Sequence, residues 1–307
     1  MKKILAVLLI LILAAVAGYY LFPEKVAGYM IDFARSRAGL VKKNIQIDDH
    51  NIVYLDGGKG QTILLLHGYG SEKDAWLLFA FFLTKNFHVI IPDIPGYGES
   101  SKLPQVSYNL ASQVERLHKL TGALALKRFH IVGNSMGGLF AGTYAARYPK
   151  EIISLGLFSA AGVKPLKFSK VFQLMHKGEN PLLLTDENDY DRLMELVFYK
   201  PPISLYPVKY MSIKKALAER SFNEKTFKDF QADIFSLEKE LPKIEAPTLI
   251  LWGDADKIID ISSVPVLEKG LANHKTVILK NCGHAPMAEK AEEAAAYYRD
   301  FIQSVKH

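Results

Sequence analysis

Near the start of the chain, Lys2-Lys3 is followed by an uncharged apolar run over 4–22. As a helix rising about 1.5 Å per residue, these nineteen positions span roughly 28 Å, close to a bilayer's hydrocarbon core. Tyr19 and Tyr20 then fall where interfacial aromatic belts occur. The pattern predicts a single-pass N-terminal anchor over 1–22. A cleaved signal peptide, with Lys2-Lys3 as its basic start and Ala15-Val16-Ala17 as its processing site, is the competing reading. The run continues past that site to a full span, which favours the anchor. Over 23–43, Val26, Met30, Phe33 and Ala34 form one stripe beside Arg35, Arg37, Lys42 and Lys43. A juxtamembrane amphipathic segment of this kind lies on an anionic membrane surface or packs on the domain it leads into.

Beyond it the periodicity changes. Short alternating runs at 44–48 and 51–55 predict strands, and Asp56-Gly57-Gly58-Lys59-Gly60 makes the turn into 62–66. The continuous apolar run at 62–66 suits a strand buried on both faces of a parallel sheet. A helix-like stretch at 71–83, a strand at 87–91, a helix at 108–124, strands at 128–132 and 152–158 complete the first half. Strands alternating with helices predict a doubly wound, mostly parallel α/β sheet over 44–163. The strand runs then stop. Residues 164–241 read as short amphipathic helices near 168–176, 190–198, 208–217 and 224–235, punctuated by Pro181, Pro201, Pro202 and Pro207. This predicts a helical cap inserted into the sheet, its apolar side chains lining a pocket for a greasy substrate or packing onto the core. The sheet resumes over 242–307, with strands at 247–252 and 275–279 and a closing helix at 288–305.

Charge sharpens this division. Residues 1–43 hold seven Lys/Arg against Glu24 and Asp32, nearly all of the net +6. The basic excess belongs to the N-terminal flank, so a nucleic-acid face on the folded domain is not expected. The short basic N-terminus favours placing the folded domain on the extracytoplasmic side, opposed by the basic residues of the other flank. The lone Cys282 excludes an internal disulfide framework and a Cys-rich zinc site. Lys59 among its glycines lacks the Gly-Lys-Ser/Thr ending of a phosphate loop, and no metal cluster or nucleotide fingerprint appears, so no cofactor or metal is implied.

The chemistry gathers at strand ends. Gly133-Asn134-Ser135-Met136-Gly137 runs from a strand into a small-residue helix, as a nucleophile elbow does. So sharp a turn needs glycine two residues before and two after the serine, and its strain lifts the hydroxyl clear of the sheet. His67-Gly68-Tyr69-Gly70 ends the strand at 62–66, and His284 follows the last strand in Asn281-Cys282-Gly283-His284. Three acids follow the strand at 247–252: Asp254, Asp256 and Asp260, the last also placed to cap a helix. Cys282 fits a small buried residue better than a second nucleophile.

With these motifs the chain resembles the α/β-hydrolase superfamily, and within it the membrane-anchored monoacylglycerol lipase-like branch. The similarity is carried by His67–Gly70, 93–100, Gly133–Gly138, 252–256 and 281–284, in the order Ser, Asp, His along the chain. The resemblance implies Ser135 as nucleophile, His284 as base and Asp256, three residues after Gly253, as the acid that orients the imidazole. It implies an oxyanion hole from the backbone N–H groups of Tyr69 and Met136, with His67 shaping that loop. The expected activity is hydrolysis of carboxylic esters through an acyl-enzyme. The anchor, basic flank and apolar cap point to lipid or acyl-ester substrates such as monoacylglycerols, taken at a membrane surface. Gly133–Gly138 also resembles enzymes that hydrolyse a C–C bond in aromatic ring-cleavage products, and a hydrolase-fold ligand receptor is a reading of another class. Dehalogenases and epoxide hydrolases would carry an aspartate at position 135.

Overall fold

The computed structural model describes residues 2–305; Met1, Lys306 and His307, at the ends of the first and last expected segments, lie outside the described residues. The strands are β1 Leu40–Ile47, β2 His50–Gly57, β3 Thr62–Leu66, β4 His88–Pro92, β5 Phe129–Asn134, β6 Ile152–Phe158, β7 Thr248–Gly253 and β8 His274–Leu279. They form one sheet in the order β1-β2-β4-β3-β5-β6-β7-β8. Only the β1–β2 and β2–β4 pairs are antiparallel; from β4 through β8 every pair is parallel. The mostly parallel, doubly wound sheet expected from the apolar runs is therefore present.

Alternation along the strands explains how helices cover both faces. In β7, Ile250 and Trp252 join the core under helices α4 (Leu110–Ala123) and α5 (Met136–Arg147). Leu249 and Leu251 point the other way, into the core with α3 (Leu77–Phe81) and α12 (Ala291–Ser304). The chain leaves β3 toward β4 on one side, and leaves β5 toward β6 on the other. The carboxyl ends of the adjacent strands β3 and β5 thus flank a topological switch point, where a crevice opens.

Four helices, α6 (Lys170–His176), α7 (Asp189–Val197), α8 (Tyr206–Ala218) and α9 (Arg220–Phe230), stand between β6 and β7. Short α10 (Val264–Gly270) and α11 (Pro286–Glu289) complete the layers around the last strands. At the N-terminus, α1 (Lys2–Leu21) leads through Phe22 into α2 (Pro23–Arg37).

Several boundaries differ from the sequence pattern. The helix expected at 71–83 is a 3-10 turn, Lys73–Trp76, followed by the brief α3. Asp93 takes both the backbone N–H and the ammonium of Lys73, fixing the entry to that turn. The closing helix is broken at Lys290 into α11 and α12. The juxtamembrane segment expected to run to 43 stops earlier, because Gly39 (φ 68°) reverses the chain and β1 begins at Leu40. Lys42 and Lys43 consequently lie on an edge strand, paired with Glu99 and Asp56. The stripe is shifted too: α2 buries Ala27 and Arg35 and packs on α8, while Phe33 remains exposed.

Candidate active site

Ser135 sits between β5 and α5 with φ 56° and ψ −121°, a conformation a side-chain-bearing residue adopts only under constraint. Its N–H donates to the Phe158 carbonyl at 3.1 Å, and its carbonyl accepts from Ala161 at 2.9 Å. The flanking glycines are required by contact as well as by curvature. A Cβ on Gly133 would lie 2.0 Å from the Gly137 carbonyl oxygen, and one on Gly137 would lie 2.3 Å from that of Leu66.

His284 and Asp256 come from loops after β8 and β7. His284 Nδ1 and Asp256 Oδ2 are 2.8 Å apart, and the two side chains are only 7 % and 0 % exposed. Asp256 Oδ1 accepts from the N–H groups of Ile258 and Ile259 at 2.9 and 3.0 Å, so the carboxylate is held on both oxygens. This arrangement leaves His284 Nε2 as the ring nitrogen available to a reacting group. The other two acids turn elsewhere: Asp254 approaches Lys280, and Asp260 caps a 3-10 turn through the Ser262 N–H.

Ser135, His284 and Tyr69 line one chamber of about 400 Å³, within the range of small-molecule sites. Its far walls are cap side chains, among them Leu184, Tyr190, Met194 and Phe198. Behind Ser135 lies a narrower apolar slot of about 40 Å³, lined by Met136, Phe172, Met175 and Phe227. Other apolar residues of the cap pack onto the core, as Val171, Phe230 and Leu237 do beside Leu139 and Phe140 of α5, while Tyr190, Ile213 and Leu217 pack against one another within the cap.

The loop before the chamber is held by His67. The Ile94 N–H donates to His67 Nε2 at 3.0 Å, so this nitrogen is unprotonated and Nδ1–H donates to the Gly68 carbonyl at 2.8 Å. Complete burial pushes the His67 pKa down, in keeping with a neutral crosslink. Met136 is buried at the start of α5 and accepts the Tyr97 hydroxyl on its sulfur. Burial pushes the Cys282 thiol up to about 12, which makes it inert beside the site.

Several contributors escape the motif-level reading. The Asn134 side-chain amide donates both to Phe158 O (3.0 Å) and to His284 O (2.9 Å), tying the elbow to the histidine loop. Its place next to Ser135 was the only signal. The Tyr69 hydroxyl donates to Asn223 O of α9 at 2.9 Å, so its side chain joins the cap to the loop instead of being a bystander to its amide. Val197 O at the end of α7 accepts the His284 N–H at 2.7 Å, and Glu289 accepts from the Gly283 N–H at 2.6 Å. Nothing local in the sequence marks these two. Among the described residues no His, Cys, Asp and Glu side chains gather as a metal-holding group.

The model for the alpha/beta hydrolase fold matches residues 61–291, most of the chain. The chain belongs to the α/β-hydrolase family. Across 96 % of its length this α/β-hydrolase is 30 % identical to monoacylglycerol lipase ABHD6 of Bos taurus, covering 91 % of that protein. It is 32 % identical to Lipase 1 of Psychrobacter immobilis, over 89 % of this chain and 87 % of that one. Among solved structures it matches a bacterial membrane phospholipase A, described as a virulence factor, at 41 % identity and a TM-score of 0.91, with 99 % of both chains covered. With such relatives along nearly its whole length, the hydrolase is a lipase-type carboxylic ester hydrolase. Its N-terminal apolar helix and its similarity to a membrane phospholipase A fit attachment to a membrane.

Proposed function

We propose that the protein is a membrane-anchored serine hydrolase that cleaves glycerolipid esters, monoacylglycerols foremost, with Ser135, His284 and Asp256 as its catalytic triad. The observation that carries this reading is the 2.8 Å contact between His284 Nδ1 and the buried Asp256 carboxylate, on loops that reach the chamber of the strained Ser135. The names of its relatives, a monoacylglycerol lipase and a membrane phospholipase A, support an ester of glycerol as the substrate.

In this mechanism His284 Nε2 takes the hydroxyl proton as Ser135 Oγ bonds to the ester carbonyl carbon. Asp256 keeps the imidazole in the tautomer with Nδ1 protonated and stabilises the imidazolium. The N–H groups of Tyr69 and Met136 receive the oxyanion. Collapse breaks the carbon–oxygen bond, and the departing glycerol oxygen takes its proton from His284. A water, deprotonated by the same nitrogen, then attacks the acyl-enzyme, frees the fatty acid and returns the proton to Ser135. The cap over 164–241 supplies the apolar walls, the apolar anchor segment over 1–22 keeps the domain at the lipid surface, and the domain faces the extracytoplasmic side.

Hydrolysis of an ester series from acetyl to palmitoyl, with monoacylglycerols included, tests the proposal when wild type is set beside Ser135→Ala. Turnover that peaks at medium or long acyl chains and vanishes in Ser135→Ala is expected. Turnover that survives the substitution removes Ser135 as nucleophile, and absence of turnover on every ester transfers the reading to C–C bond hydrolysis or ligand binding.

A further inference from the structure

The connection between α7 and α8 has a composition at odds with a solvent loop. It reads Phe198-Tyr199-Lys200-Pro201-Pro202-Ile203-Ser204-Leu205, with one charge, and continues into Tyr206. Ile203 is 95 % exposed at its tip, and Tyr199, Leu205 and Tyr206 are exposed around it. Single exposed apolar residues are ordinary on a protein surface, but a cluster with an almost fully exposed isoleucine at its apex marks an interaction site.

The occupant is indicated by what lies beside it. The Tyr206 N–H donates to the Tyr19 hydroxyl at 3.0 Å, and the Tyr206 ring lies 6.2 Å from Tyr19 and 5.3 Å from Tyr20. Those two tyrosines stand near the end of α1, whose apolar side chains face outward along a helix long enough to cross a bilayer. The loop is therefore level with the interfacial end of the span. Lys214 of α8 also pairs with Glu24 of α2, which fixes the cap to the base of the anchor.

We propose that 199–206 is a second membrane contact, its Ile203 tip entering the bilayer beside α1, and that it joins the lipid surface to the catalytic histidine loop. The join is made by backbone groups. Glu289 accepts from the N–H groups of Tyr199 (3.1 Å) and Lys200 (2.8 Å) as well as from Gly283, next to His284. Val197, at the loop's root, holds the His284 N–H. The helices on either side, α7 and α8, both line the chamber, so a lipid seated at the loop lies at the chamber's wall. A tyrosine-rich rim, one lysine and an aliphatic tip are the chemistry of a shallow bilayer insertion.

The inference rests on the anchor reading, and the test separates the two. Full-length protein carrying Ile203→Cys, Leu9→Cys or Lys59→Cys is labelled with nitrobenzoxadiazole and placed in phosphatidylcholine/phosphatidylglycerol vesicles containing doxyl-labelled lipids. Cys282 is buried and stays unlabelled. Lys59 lies in the β2–β3 turn, at the opposite end of the sheet from the site. Quenching at Leu9 and Ile203 but not at Lys59 is expected. Quenching at Leu9 with Ile203 as unquenched as Lys59 overturns the second contact and spares the anchor, whereas loss of both overturns the anchor first. A blue-shifted but unquenched Ile203 label that reverts on dilution of the protein assigns the loop to a second copy and overturns the proposal. In parallel, Ile203→Asp is expected to lower hydrolysis of vesicle-embedded monoacylglycerol about tenfold while a soluble short-chain ester is turned over as before. Equal effects on both substrates count against a membrane role.

Discussion

Ser135 is held in its left-handed conformation by hydrogen bonds to β6 and the residues after it, so the strain of about 1–3 kcal/mol that such a residue carries is met by the surrounding backbone. The acid that meets His284 is distinguished by its second oxygen. Asp256 alone of the three candidate acids is bonded to the histidine, and its Oδ1 is anchored by two N–H groups. An asparagine there can keep the anchor but presents an amide or an oxygen to Nδ1 without a negative charge. Asp256→Asn is therefore expected to lower kcat for a soluble ester about 10³–10⁴-fold with KM little changed. The same loss in Asp254→Asn or Asp260→Asn, with Asp256→Asn active, would reverse the assignment.

Between elements, the most connected feature is a set of ion pairs under the loop that bears Tyr69. Arg35 of α2 meets Asp74 at 2.6 Å, Lys73 meets Asp93 and Glu99 at 2.8 Å each, and Lys42 of β1 meets Glu99 at 2.7 Å. Burial alone would raise the Glu99 carboxyl, but the ammoniums of Lys42 and Lys73 outweigh it and hold it at about 2, below its ordinary 4.5. A carboxyl with a depressed folded pKa adds stability above its unfolded pKa, and that contribution is lost as pH falls through the folded value. Thermal melts should thus place Glu99→Gln below wild type at pH 7, by a modest margin because Glu99 is partly exposed, with the gap closing between about pH 4.5 and 2. A gap that stays constant across that interval would detach Glu99 from the network.

At the scale of the whole molecule, the two N-terminal helices separate in role. All the described side chains of the span from Ile4 to Val16 are exposed, whereas α2 packs on α8 and buries Arg35 against the core. A chain lacking residues 1–21 should leave the membrane fraction on carbonate extraction yet turn over a soluble ester at close to the wild-type rate. Removal of 1–38 also strips Arg35 from Asp74. Breaking a largely buried pair costs about 3 kcal/mol, so that chain should melt about 6 °C or more below the first. Equal melting temperatures would show α2 to be dispensable.

By itself the sequence determined the parallel strands, the cap's position and the elbow, because these rest on short-range rules. Continuous apolar runs mark buried strands, a break in that pattern marks the insertion, and glycines at 133 and 137 mark a turn with no room for Cβ. The strand-end placement of Ser135, His284 and the three candidate acids was legible because strand ends are where a parallel sheet presents its loops, whereas the choice of Asp256 among those acids came from the family resemblance. The tertiary structure alone decided the rest. Asn134 reaches His284 across 150 positions, Lys73 reaches Asp93 across 20, and Tyr206 meets Tyr19 across 187. Polar pairs at such separations leave no periodic trace in a chain, since each partner is an ordinary residue until folding brings the other within about 3 Å. The shifted face of α2 and the early start of β1 follow from the same cause, as a helix's buried side is chosen by the neighbour it meets.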